Sequence, residues 1–88
     1  MLKELEATLR QAFAPVHLQV ADDSHKHAGH GAVGGHYAIT LVDAAFSGKA
    51  RVARHRMVYH LLQKHLMAQD IHAVQLHLYT PEEWHRRA

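Results

Sequence analysis

The chain of 88 residues contains no cysteine, which excludes a disulfide framework and any metal site in which this chain supplies thiolate ligands. It has two prolines and one tryptophan, and no stretch approaches the ~20 apolar residues that a membrane span needs. Charges of the two signs nearly balance, with a net charge of +2 when histidine is neutral. Net charge alone therefore favours neither a nucleic acid nor an acidic partner.

The same absences bear on where the chain works. A protein without cysteine fits a reducing compartment, where thiols and disulfides serve little structural purpose. Residues 1–6 are too acidic and too periodic for a signal or transit peptide. We therefore expect a cytoplasmic protein that is not associated with a membrane.

Histidine is present in excess, at eleven residues in 88. Among the histidines outside the predicted helices, five are candidates to present a ring nitrogen to a metal: His25, His27, His30, His36 and His72. Imidazole is the commonest metal ligand among side chains, and its unperturbed pKa lies near neutrality. Composition alone therefore leaves open a metal site or a response to acid.

Apolar spacing predicts a helix at the start of the chain, which Pro15 ends. Its leucines recur at helical intervals: Leu2, Leu5 and Leu9. Three later segments alternate between apolar and polar residues, as half-buried strands do: residues 16–20, 36–42 and 71–79. A loop over residues 22–35 separates the first two strands, and it holds four of the five glycines and three histidines.

Residues 49–68 form the longest predicted helix. Its apolar stripe consists of Val52, His55, Tyr59, Leu62 and Leu66, and Val58 and Leu61 broaden it. A break near Arg54 that divides it into a short and a longer helix is left open. Thr80 followed by Pro81, with the capping-box glutamate Glu83, starts a short final helix. The predicted order is α-β-β-α-α-β-α, in a fold of the α/β (α+β) class.

Six segments in this order resemble the BolA family across nearly the whole chain. They are Asp23-Ser24 before a histidine-bearing loop, Gly35-His36-Tyr37, Phe46-Ser47-Gly48, Arg54-His55-Arg56-Met57-Val58-Tyr59, Ile71-His72-Ala73 and Thr80-Pro81-Glu82-Glu83-Trp84. One such segment alone is weak evidence, whereas six at the expected separations are specific. The resemblance implies a single BolA-like domain over residues 1–88, similar to a class II KH domain, with a three-stranded mixed sheet covered on one face by helices.

The resemblance also implies iron–sulfur ligation. It assigns one ligand to His72 and a second to the loop between the first two strands, where His27 follows Ser24 by three residues. His25 and His30 compete with His27, and His36 is a further alternate. Read from the residues alone, His72 equally well fixes a turn, and the loop histidines equally well capture zinc or nickel.

A [2Fe–2S] cluster takes four ligands, and this chain can supply nitrogen but no thiolate. The resemblance implies that a monothiol glutaredoxin and its glutathione supply the sulfur, so that the two proteins share the cluster. We therefore expect no cofactor in the isolated chain, which we expect to be a monomer or a weak dimer. No nucleophile, base and orienting group can be read from the spacing, so we expect no enzymatic activity.

A basic segment supports the principal alternative, a DNA-binding transcriptional regulator. Four cations fall within eight residues that contain no acid: Lys49, Arg51, Arg54 and Arg56. KH domains grip RNA with a Gly-x-x-Gly loop, but the comparable stretch that begins at Gly48 has Arg51 where the second glycine belongs. The sequence therefore argues against KH-style RNA binding and leaves DNA binding open. A histidine-rich loop that senses acid or binds a divalent metal is a third possibility.

Overall fold

The computed structural model describes residues 2–23, 35–67 and 71–87. Its elements, in chain order, are α1 (Leu2–Ala12), β1 (His17–Asp22), β2 (Gly35–Val42), a 3-10 turn (Ala44–Phe46), α2 (Arg51–Met67), β3 (Ile71–Tyr79) and α3 (Pro81–Arg86). The predicted fold class is confirmed, with three helices and a three-stranded mixed sheet. Residues 24–34 of the predicted loop, with His25, His27 and His30, lie outside the described residues, whereas Asp22 belongs to β1 and Gly35 to β2. Among the residues described, no helix is both long and apolar enough to cross a bilayer.

The sheet has the strand order β1-β2-β3. β1 pairs antiparallel to β2, with Leu18 opposite Leu41, and β2 pairs parallel to β3, with Leu41 opposite Leu78. Two parallel neighbours require a crossover, and α2 supplies it. The register puts Leu18, Leu41 and Leu78 on one face of the sheet, where α1 and α2 cover them.

The core lies between this face and the two long helices. Leu5 and Leu9 of α1 are fully buried, as their helical spacing predicts. They pack with residues from every strand and from α2, including Ile39, Leu41, Phe46, Val58, Leu62 and Leu78. One compact apolar cluster therefore fixes both helices on the sheet.

α2 runs without a break through Arg54, so the division that the sequence left open is absent. The predicted stripe is partly wrong, because Val52 is 61% exposed and Tyr59 is 39% exposed. The buried residues of α2 are Arg54, Val58 and Leu62, which recur every four residues on one face, so the stripe is confirmed at Val58 and Leu62. An arginine occupies a position that apolar periodicity reserves for a hydrophobic residue. The reason is an ion pair with α3, described below.

Between β2 and α2 the chain reverses through the 3-10 turn. The predicted order had four helices, whereas the described residues form three helices and this turn. Asp43 caps this turn: its carboxylate accepts a 2.8 Å hydrogen bond from the Ala45 amide. Gly48 follows with a φ of 75°, a backbone conformation that favours glycine. This turn therefore sets the entry point of α2 beside the sheet.

α3 begins at the predicted capping box. The Glu83 amide donates to the Thr80 hydroxyl at 3.2 Å, and the Thr80 amide donates to Glu83 Oε1 at 2.9 Å. The Trp84 ring of α3 stacks on the His17 ring, with the ring centroids 4.8 Å apart, and it also contacts the Tyr79 ring. His17 and Tyr79 lie on the sheet face opposite α1 and α2. α3 therefore reaches around the β3 edge to the second face, a contact that the pattern did not predict.

Candidate metal centre

The topology brings three candidate segments to one end of the sheet. β1 ends at Asp22, which pairs with Tyr37 near the start of β2, and β2 and β3 begin side by side. We call this end, defined by Asp22, His36 and His72, the histidine end. The chain leaves it after β1 and returns to it at β2, so the segment that contains His25, His27 and His30 starts and finishes there.

An irregularity in the β2–β3 ladder falls at His72. Gly35 pairs with Ile71, but His36 pairs with Ala73, so one step along β2 corresponds to two steps along β3. His72 is the additional residue, as in a β-bulge. Bulges are enriched beside functional sites because they redirect a side chain and interrupt strand pairing. The local backbone therefore sets His72 apart from the rest of β3.

His36 occupies the neighbouring position on β2. Its carbonyl accepts a 2.6 Å hydrogen bond from the Asp23 amide, which ties the residue after β1 to the start of β2. Adjacent strands lie about 4.8 Å apart, so the backbones of His36 and His72 are close neighbours. Of the five candidate ligands, the structure brings these two together in its described part. The loop histidines stay predictions.

The donor set at the histidine end fits only part of a metal's coordination shell. Within residues 2–23, 35–67 and 71–87, no three histidine, aspartate or glutamate side chains are placed to hold a metal ion. The chain lacks cysteine, so its contribution to an iron–sulfur cluster is limited to imidazole nitrogen. A shell that uses two imidazoles and two external thiolates is compatible with this donor set, and a closed cluster site made by this chain alone is not.

Several other histidines have packing roles elsewhere. His17 stacks on Trp84, and His65 Nε2 lies 3.2 Å from the Thr8 hydroxyl, which links α2 to α1. His55 is also half-buried, whereas His60 and His77 are exposed. The described histidines therefore divide among packing positions, exposed positions and the histidine end.

Arg54 was predicted to belong to a basic surface, but it is 7% exposed and fully engaged. Its guanidinium binds Glu83 of α3 in a two-point ion pair, at 2.6 Å from Nη1 to Oε1 and 3.1 Å from Nη2 to Oε2. Nη1 also donates to the Leu78 carbonyl at 3.2 Å, and Nε donates to the Lys49 carbonyl at 2.9 Å. Arg54 therefore connects α2 to α3 and β3, and it is not available as a phosphate ligand.

The ion pair also acts on Glu83. The hydrogen bonds from Arg54, with help from the Thr80 amide, lower the pKa of Glu83 from 4.5 to about 2. The capping box was predictable from the sequence, but the partner of Glu83 lies 29 residues away and was missed. A signal was available, because Arg54 stands in helical register with Val58 and Leu62. A buried arginine in that position requires an acid.

Tyr59 makes a second tie between α2 and β3. Its hydroxyl donates to the Val74 carbonyl at 3.2 Å. Val74 and Leu78 are four residues apart on β3, so their carbonyls point to the same edge of the sheet, away from β2. The segment from Arg54 to Tyr59, the longest of the matching motifs, thus fixes α2 to that edge of β3.

The remaining cations of the basic segment are on the surface. Lys49, Arg51 and Arg56 are exposed. Arg51 is the first residue of α2, and Arg56 borders an apolar groove of about 720 Å³ that includes Phe13 and Met57. Because Arg54 is buried, the exposed cations of this segment are these three residues.

The chain is similar to known proteins in both sequence and structure. A family model described as BolA-like protein matches residues 9–83. The DNA-binding transcriptional regulator BolA of Escherichia coli (strain K12) is 40% identical over 85 residues, covering 96% of this chain and 80% of that protein. The BolA domain of SufE1 from Arabidopsis thaliana superposes with a TM-score of 0.84 at 38% identity, covering 93% of each chain. BolA1 from Arabidopsis thaliana gives a TM-score of 0.82 at 33% identity, again covering 93% of each chain.

Proposed function

Because the chain belongs to the BolA-like family, we propose that it is a cytoplasmic adaptor that co-ligates a [2Fe–2S] cluster together with a monothiol glutaredoxin and glutathione. Its ligands are His72 and a loop histidine, with His27 as the first choice. The adaptor receives clusters or adjusts their use in iron or redox regulation, and it has no catalytic role of its own.

The observation that carries this proposal is the convergence at the histidine end. β1 ends, β2 begins and β3 begins at the same edge of the sheet, and the additional residue of the irregular ladder is His72. Asp23 and Gly35, the described residues on either side of the segment between β1 and β2, both lie at that edge. This convergence supports the proposal that two imidazoles from separate segments bind one small centre.

The chemistry of imidazole explains why histidine nitrogen is a suitable cluster ligand at the histidine end. Replacing two thiolates by neutral imidazoles raises the reduction potential of a [2Fe–2S] cluster, as in Rieske centres. An imidazole must lose its proton to ligate, so the two histidines hold the cluster at neutral pH and release it in acid. With no sulfur donor of its own, the chain cannot complete the shell without its partner.

The test is co-purification of the full chain with a monothiol glutaredoxin in the presence of glutathione, followed by iron analysis and a visible spectrum. His72→Ala is expected to lose the spectrum characteristic of mixed histidine and thiolate ligation, because half of the nitrogen supply is gone. His77→Ala is the matched control, since His77 is an exposed histidine on the same strand away from the histidine end. An unchanged spectrum in His72→Ala overturns the assignment.

The second ligand is resolved by the same measurement. His25, His27, His30 and His36 are changed to alanine one at a time in the co-purified complex. We expect His27→Ala to reproduce the effect of His72→Ala and the other three to leave the spectrum unchanged. An effect confined to His25, His30 or His36 would reassign the second ligand to that residue and leave the adaptor proposal in place.

DNA binding is the second candidate, favoured by the name of the relative from Escherichia coli and by the exposed cations Lys49, Arg51 and Arg56. Fluorescence anisotropy with a duplex, repeated over a range of salt concentrations, tests it. Phosphate contacts make affinity fall steeply with log salt, with a slope near −0.9 per contact for B-DNA. A shallow slope, or one that the triple glutamine variant of these residues leaves unchanged, excludes this surface.

A further inference from the structure

A second candidate site lies at the β3 edge, remote from the histidine end. A cleft of about 400 Å³ opens between the start of α2, the second half of β3 and the end of α3. Its charged lining comprises Arg51, Arg54, Glu83, Arg86 and Arg87, with His55 and His77 beside them. Neither the cluster proposal nor the DNA proposal uses this cleft as a unit.

The charges of the lining do not cancel. Glu83 is the one acid among the described residues that line the cleft, and it is already paired with Arg54. The cleft therefore keeps three arginines without an acidic partner in its own lining: Arg51, Arg86 and Arg87. Arg51 also opens α2, whose first turn has no acidic residue, so the positive end of that helix adds charge of the same sign.

One of these arginines is held in place by aromatic contacts. The Arg87 guanidinium carbon lies 4.1 Å from the centroid of the Trp84 indole ring and 5.6 Å from that of the Tyr79 ring. Cation–π contacts of this kind leave the N–H groups of a guanidinium able to bind an anion. The two rings thus position Arg87 beside the cleft.

The geometry excludes one obvious occupant of a cleft beside an edge strand. An added peptide strand needs the outward backbone groups of β3. Two of its outward carbonyls are taken, that of Val74 by Tyr59 and that of Leu78 by Arg54. The cleft therefore suits a compact ligand that binds side chains.

We propose that this cleft binds a small phosphate monoester, with Arg51, Arg86 and Arg87 as its ligands. A monoester is a dianion near neutral pH, which suits a lining with three positive charges in excess better than the single charge of a phosphodiester. The cleft volume is at the lower end of the range of about 300–1,000 Å³ for small-molecule sites, large enough for an organic group beside the phosphate. This proposal does not depend on cluster binding.

The test is an amide chemical-shift titration of the full chain at about pH 8, where monoesters are dianionic. The probes are phenyl phosphate, inorganic phosphate and diethyl phosphate, at matched ionic strength. We expect saturable shifts around the cleft with phenyl phosphate and weak, unsaturated shifts with the diester. Tighter binding of phenyl phosphate than of inorganic phosphate would indicate an organic monoester, and equal binding would indicate recognition of the phosphate group alone.

The variants separate the cleft from general surface charge. Arg51→Gln combined with Arg87→Gln is expected to weaken phenyl phosphate binding by about tenfold or more, since two charge-assisted hydrogen bonds are lost. Arg10→Gln removes the same kind of exposed charge from α1 and should leave the affinity unchanged. Equal binding of monoester and diester, an effect of Arg10→Gln as large as that of the double variant, or no saturable shifts around the cleft with phenyl phosphate would overturn the proposal.

Discussion

The two ends of the sheet differ in how they are built. At the histidine end, three strand termini meet and the β2–β3 ladder is irregular at His72. At the opposite end, which we call the anchored end and define by Val42, Asp43, Tyr79 and Thr80, hydrogen bonds fix every connection. The Asp43 amide donates to the Tyr79 carbonyl at 3.0 Å, and the Val16 amide donates to the Val42 carbonyl at 2.8 Å.

This difference separates stability from ligand chemistry. The capping box of α3, the Asp43 cap and the Arg54–Glu83 ion pair stabilise the anchored end and the adjoining β3 edge. His36 and His72 are at the other end, where a substitution disturbs less of this network. We therefore expect substitutions near the anchored end to alter folding and substitutions at the histidine end to alter binding.

The largest effect on stability is expected from Arg54→Met. The substitution keeps the side-chain volume approximately but removes the hydrogen bonds to Glu83, Leu78 and Lys49. We expect the free energy of unfolding to fall by roughly 2–3 kcal/mol. Urea denaturation measures it, with Arg56→Met as the control because Arg56 is exposed on the same helix. Equal effects of the two variants would contradict a special role for the β3 edge.

Glu83→Gln should have a smaller effect that depends on pH. The pKa of Glu83 is lowered to about 2 in the folded protein, below its ordinary value of 4.5. Ionised Glu83 therefore stabilises the fold fully above pH 4.5, and this contribution is lost as pH falls from 4.5 towards 2. The Glu83 side chain is 37% exposed, so solvent screens part of the interaction.

The measurement is the free energy of unfolding as a function of pH for both proteins. Wild type should lose stability relative to Glu83→Gln as acid is added through that interval. Glu82→Gln is the control, because Glu82 is an exposed neighbour on the same helix. Parallel curves for wild type and Glu83→Gln would show that the ion pair contributes nothing to the free energy of unfolding.

Tyr59→Phe tests the hydrogen bond between α2 and the part of β3 that is near the histidine end. It removes one hydrogen bond, to the Val74 carbonyl two residues after His72, on a side chain that is 39% exposed. We expect a loss of about 0.5–1 kcal/mol in the free energy of unfolding. Hydrogen exchange should report faster opening at the start of β3 than at its end. Uniform change along β3 would mean that Tyr59 does not act locally.

The smallest effect on stability is expected from His72→Ala. Since His72 is the additional residue of an irregular ladder, its replacement should change the free energy of unfolding by less than about 0.5 kcal/mol. Thermal or urea denaturation of the isolated chain measures this. A loss as large as that of Arg54→Met would identify His72 as a structural residue, and the contrast between the two ends would fail.

The fold was predictable wherever a periodic pattern met a local signal. The third strand begins and ends where alternation predicts, at Ile71 and Tyr79, and α3 starts at its capping box. The face of α2 was not predictable in the same way. Burial of Arg54 depends on Glu83, and no local pattern links residues 29 positions apart.

The candidate site was predictable only in part, for a different reason. The strand order explains why His36 and His72 are neighbours, but that order follows from long-range pairing and not from the sequence near either residue. The choice among His25, His27 and His30 rests on their spacing from Ser24 in a glycine-rich sequence, and that spacing alone does not single out one of them. The sharing of a cluster depends on a second protein, which no feature of one chain specifies.

The most direct test of nitrogen ligation is electron–nuclear double resonance on the reduced cluster of the co-purified complex. This chain is labelled with histidine enriched in the heavy nitrogen isotope, and the glutaredoxin is left unlabelled. We expect strongly coupled imidazole nitrogens from this chain, one of which disappears in His72→Ala. A cluster with no strongly coupled histidine nitrogen would contradict the account, since its ligands would then all be sulfur from the partner.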